Sequence, residues 1–152
     1  MAIRTLRSRW RSEEGAELIE FALVAPLLIL LFAAIVDFGN MFRSFEAVTN
    51  AAREGARVGV LPAYQDADVY DRVDDYLEAA GLHDTYPTPQ VNRTPVPTSA
   101  GTYTAVSVFV EYPYQLAILS PVAAFFGGGN FGTVPLRARS VMRAEAPAAP
   151  AP

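Results

Sequence analysis

From Phe21 to Val36 the chain reads FALVAPLLILLFAAIV, a run without one charged or hydrogen-bonding side chain. No other feature restricts the fold as tightly. Sixteen residues make a helix of about 24 Å at ~1.5 Å per residue, against a hydrocarbon core about 30 Å thick. Leu18 and Ile19 before the run, and Phe38, Met41 and Phe42 after it, supply the missing length if the helix continues. Arg4, Arg7, Arg9 and Arg11 precede the run and Asp37 follows it directly. That asymmetry predicts a single crossing with the N-terminus in the cytoplasm. The alternative is a cleaved secretory signal, which needs a small-residue site beyond the apolar core. Ala33-Ala34 is the available site, but it lies inside the run, and the sequence after Val36 reads as further helix.

Beyond Val36 the chain carries eight Arg against twelve Asp and Glu. Such an acidic balance argues against nucleic acid, which demands a basic face. There is no cysteine, so an extracytoplasmic domain must close by packing alone, and thiol catalysis and zinc-thiolate sites are excluded. The single histidine, His83, stands beside Asp84 just past a helix stop and reads as a surface turn. The other acids line one helix face, so no convergent set of titratable groups is in view. The sequence therefore predicts no enzyme, no cofactor, no metal and no small-molecule substrate.

The periodicity predicts one long helix from about Glu13 to Val60, with a bend at Pro26. Past Asp37 it turns amphipathic. Met41, Phe45, Val48, Ala52 and Ala56 recur at spacings of three and four, and beside them runs a small-residue line, Ala51, Gly55 and Gly59. This packing motif suits close approach to the domain's own sheet, or else to another subunit. Pro62 ends the helix. Asp66 to Ala80 forms a second helix, with Val69, Val73, Tyr76, Leu77 and Ala80 on one face, solvated acids on the other, and Gly81 at its stop. The proline-rich stretch from Tyr86 to Ser99 is loop or edge strand. Thr102 to Tyr112 alternates, with Val106, Val108 and Val110 opposite Ala105, Ser107 and Glu111. Val134 to Met142 alternates too, with arginines outward, and the two strands should pair antiparallel. Leu116 to Phe126 is a candidate short helix packing on the sheet. Gly127 to Asn130 is a loop, and no Lys-Ser/Thr follows to make it a phosphate cradle. Ala144 to Pro152 has the composition of a disordered tail.

The junction SEEGAELIEFALVAP, residues 12–26, holds one further signal. Glu20 stands at the edge of the apolar run, where an ionised carboxylate is disfavoured. Gly15 followed by Ala16-Glu17-Leu18-Ile19-Glu20-Phe21 resembles the processing site of type IV pilin-like proteins. The resemblance implies cleavage by a prepilin peptidase after Gly15, leaving Ala16 as the new N-terminus and the apolar helix still attached. It also implies that Glu20, the fifth residue after the cut, is neutralised by the Ala16 amine of a neighbouring subunit. More specifically, EEGAELIEFALVAPLLILL, AAREGAR at Ala51 to Arg57 and RARSVMRAE at Arg137 to Glu145 resemble the TadE-like proteins of tight-adherence (Flp) pilus systems. Major Flp pilins commonly carry tyrosine after the glutamate and are very short. Phe21 and the long extension past Val60 therefore point to a pseudopilin or minor pilin.

The expected architecture is α+β and pilin-like: a long N-terminal transmembrane helix continuing into a small antiparallel-sheet domain. Residues 1–15 would be a cytoplasmic leader, 16–38 the transmembrane helix, 39–143 the extracytoplasmic domain and 144–152 the tail. The resemblance implies a single-pass protein of the cell (inner) membrane. Its partners would be membrane lipid, the prepilin peptidase, the pilus assembly platform and a sibling minor pilin. A membrane-tethered adhesive or ligand-binding domain unrelated to pili is the alternative.

Overall fold

A computed structural model describes residues 13–99, 101–129 and 131–144. Most of the expected leader, and the Ala/Pro tail from residue 145, lie outside the described residues. The elements are helix α1 (Glu13–Gly59), helix α2 (Asp66–Ala79), strands β1 (Gln90–Thr98) and β2 (Gly101–Gln115), the short helix α3 (Leu119–Phe125) and strand β3 (Thr133–Arg143). The fold is α+β: a long N-terminal apolar helix followed by a three-stranded antiparallel sheet. The chain divides into two compact units. One comprises α1 up to Gly39 together with residues 116–132; the other comprises residues 40–115 and the chain from Thr133.

In the first unit α1 is rich in leucine and alanine, which are good helix formers. It runs through Pro26 without interruption, as helices in apolar surroundings often do. Leu23, Leu27, Leu31, Phe32 and Ile35 are all exposed. Exposure of that many large apolar side chains marks a surface that meets lipid or another protein. Among the described residues one helix, Gly15–Gly59, is long and apolar enough to cross a membrane.

In the second unit the sheet order is β1-β2-β3, so β2 is central. The proline-rich stretch is an edge strand: Pro95 pairs with Thr104 and Pro97 with Thr102. Pro113 faces Pro135 across β2 and β3. The Ala144 amide donates to the Thr104 carbonyl, which makes even-numbered β2 positions the hydrogen-bonded ones on this edge. Two residues without N–H groups therefore meet where no ladder bond is required.

The core of this unit lies between the helices and one sheet face. It contains Val48, Ala51, Ala52 and Ala56 of α1, Val69, Val73 and Leu77 of α2, and Val106, Val108 and Val110 of β2, all fully buried. Helix α2 stops in a Schellman motif: the Leu82 amide donates to the Leu77 carbonyl and the Gly81 amide to that of Glu78, with Gly81 at φ +80°.

Three expectations change. Phe45 is exposed, and Ser44 takes the buried position beside Val48, its hydroxyl donating to the Asn40 carbonyl. At 3.6 residues per turn the buried line runs 44, 48, 51, 55 and 59, which rotates Phe45 out of the core. Ser107, expected on the solvated face of β2, is buried, because the Arg139 guanidinium reaches across and donates to its hydroxyl. Leu116 to Phe126, expected as a short helix packing on the sheet, instead belongs to the unit of the apolar helix, which takes in residues 116–132.

Candidate functional site

The processing junction lies near the start of α1. Gly15 is half-buried, and Ala16, Glu17 and Glu20 are exposed. Among the described residues Glu20 has no hydrogen bond or ion pair. A carboxylate at the edge of an apolar run without a partner among the described residues is open to one from elsewhere. The junction thus brings together a residue without a side chain, a small residue after it, and an unpaired acid about one and a half turns on.

The packing motif occupies the other end of α1 and serves the chain itself. A Cβ on Gly55 would stand 2.7 Å from Cγ2 of Val73, 3.3 Å from Cγ1 of Val69 and 3.4 Å from Cγ1 of Val108. One on Gly59 would meet Val106 at 3.1 Å and Val69 at 3.2 Å. Ala51, Ala52 and Ala56 are fully buried along the same line. The small residues let α2 and β2 approach the α1 backbone directly. Of the two readings of this motif, the structure supplies intramolecular packing. The polar members of AAREGAR point outward: Glu54 pairs with Arg72 of α2 at 3.3 Å and with Arg57 at 3.8 Å.

These residue types in this order have a known counterpart. A family model described as TadE-like protein matches residues 15–57. Residues 15–57 are similar to the TadE-like family. The match begins at the junction glycine, runs the length of the apolar helix and ends on the last residue of AAREGAR. The third resembling segment, Arg137 to Glu145, lies outside it. Curated proteins and solved structures gave no match. The TadE-like segment is therefore α1 almost entire, while α2, the sheet and α3 follow it.

Two features escaped sequence reasoning. Asp37 is fully buried, and its carboxylate accepts hydrogen bonds from the amides of Ile118, at 3.0 Å, and Leu119. The signal available was a lone acid directly after an apolar run, which reads equally well as a topological marker. The second feature surrounds His83 and Asp84. The Tyr112 hydroxyl donates to the Asp84 carboxylate at 3.0 Å, the Tyr86 hydroxyl donates to Asp74 at 2.7 Å, and the two rings lie 6.0 Å apart. Burial, then the bond to Asp74, pushes the Tyr86 hydroxyl well above its ordinary pKa. It stays a donor at any physiological pH. His83 is exposed on the rim of the open groove these groups line. The tyrosines thus tie the α2–β1 connection to Asp74 and to β2.

Proposed function

We propose that this protein is a membrane-anchored pseudopilin or minor pilin that assists assembly of a tight-adherence (Flp-type) pilus or a related secretion system, with a structural role and no catalysis of its own. The observation that carries this reading is the TadE-like match, which starts at Gly15 and covers a helix whose apolar side chains are exposed. On this reading Gly15 and Ala16 form the cleavage site of a prepilin peptidase, acting on the cytoplasmic side of the inner membrane. The new Ala16 amine neutralises Glu20 of a neighbouring subunit, which an exposed and unpaired Glu20 permits. Partners are the peptidase, the assembly platform, a sibling minor pilin and membrane lipid.

Intact-mass measurement of the membrane-extracted protein tests this reading. The expected mature chain begins at Ala16 and keeps the apolar helix. Gly15→Leu should block processing, because a bulky side chain crowds the peptidase subsite. Glu20→Ala should leave cleavage largely intact and weaken assembly. Retention of Met1 in the functional protein defeats the pilin-type reading, and an N-terminus near Asp37 defeats the membrane anchor as well.

A further inference from the structure

Residues 116–132 belong to the same compact unit as the apolar part of α1. From Tyr112 to Leu136 the chain has no charged side chain. Within that stretch Phe125 is 85% exposed, Phe131 54%, Phe126 42% and Ile118 38%. Water does not favour such a cluster.

The segment's depth follows from α1. Asp37 is the first charged residue after the apolar run, and both carboxylate oxygens turn to the amides of Ile118 and Leu119. A carboxylate at the edge of the hydrocarbon would otherwise reach for headgroup water. Towards the N-terminus, Leu30 and Ala34 are half-buried and Ala33 is buried, whereas Leu31, Phe32 and Ile35 are exposed. Positions 30, 33, 34 and 37 form one covered stripe, with Val36 half-buried beside it. Within this unit the covering chain is 116–132, so that segment lies alongside the last two turns of the run, about 10 Å of helix.

Backbone at that depth needs its own hydrogen bonds. Helix α3 supplies them over its own length and closes in a second Schellman motif: the Gly127 amide donates to the Ala124 carbonyl and the Gly128 amide to that of Ala123. Gly127 has φ +81°, and a Cβ on Gly128 would stand 2.8 Å from the Ala123 carbonyl oxygen. The turn that ends α3 is thus compact and glycine-dependent.

We propose that residues 116–132 form a second membrane contact, a short re-entrant element that sits in the boundary of the bilayer at the Asp37 end of the span, with Phe125, Phe126 and Phe131 against lipid. The uncharged stretch, the aromatic exposure and continuity with a lipid-facing helix select lipid as the occupant. Asp37 is the clasp that holds the element to the helix. The proposal rests on the reading of α1 as a membrane span.

The chain has no cysteine, so single cysteines carrying a nitroxide label report one position each. Leu28→Cys, Phe125→Cys and Asp75→Cys are made in the full chain and reconstituted in phosphatidylcholine vesicles. Accessibility to dioxygen and to a water-soluble nickel chelate is then compared. The label at 125 should resemble that at 28, oxygen-rich and nickel-poor, and differ from that at 75. If 28 is in lipid while 125 matches 75, the element lies in water and the proposal fails alone. If 28 is also open to nickel, the span itself fails and takes the proposal with it. Shielding of 125 from both reagents, with spin–spin broadening removed by unlabelled chain, would show that a second copy covers the aromatics and would overturn the lipid assignment.

Discussion

Two glycines of α1 have opposite surroundings and therefore opposite predicted effects. At Gly55 an added methyl runs into Val73 and Val69, whereas at Gly39 nothing lies within 4 Å. Overpacking costs about 1–3 kcal/mol, more than the ~1 kcal/mol by which alanine outranks glycine in a helix. Thermal unfolding of the detergent-solubilised full chain should show Gly55→Ala less stable than the parent and Gly39→Ala equal or more stable. A lower melting temperature for Gly39→Ala alone would reverse the assignment of the two faces. Tyr86 sets a pH dependence. Its folded pKa lies above the unfolded value of about 10, so the neutral hydroxyl is favoured by folding, and its contribution is intact below that pH. Stability falls as pH rises from about 10 towards the folded pKa. Tyr86→Phe should flatten this alkaline limb, read as melting temperature against pH. An unchanged slope would mean that neither burial nor the Asp74 bond holds the Tyr86 hydroxyl neutral in solution.

Helix α2 is joined to α1 through valines and one ion pair, and the valines dominate. Arg72 and Glu54 are both partly solvated, 47% and 29% exposed at their side chains. A double-mutant cycle on the two should give a coupling of about 0.2–1 kcal/mol that shrinks with added salt. A coupling well above that range would mean the pair is drier than its exposure indicates. At the clasp, Asp37→Ala leaves the Ile118 and Leu119 amides without their acceptor, at a cost of about 1–3 kcal/mol if the site stays closed to water. Limited proteolysis in detergent should then cut between residues 116 and 132 faster than in the parent, with the sheet domain cut no faster.

For the molecule as a whole, one exposed apolar helix precedes a domain whose core is made by its own continuation. Residues 40–59 bury Val48, Ala51, Ala52 and Ala56 in that core, so the sheet domain is not separable from α1 at the end of the span. Protease added to intact spheroplasts should digest the chain beyond Asn40 and spare a membrane-retained N-terminal fragment. Full protection of the sheet domain would invert the topology drawn from Arg4, Arg7, Arg9 and Arg11.

How much could be read in advance depended on how local the cause was. The apolar run, the helix from Glu13, the α2 amphipathicity and the two alternating strands are periodicity or composition in a single segment. Such signals need no knowledge of what lies opposite. The edge strand at Gln90–Thr98 was only half legible, because prolines weaken a strand pattern while an edge tolerates them. The sequence presented Ala51, Gly55 and Gly59 as small residues awaiting a close neighbour. Only the tertiary structure made that neighbour Val73, Val69, Val108 and Val106 of the same chain. Asp37 is the clearest case. Its place after the apolar run was evident, but its partners are the amides of Ile118 and Leu119, some eighty residues away. Amides carry no residue identity, so a carboxylate bound by two of them leaves no mark in the sequence of the segment that binds it.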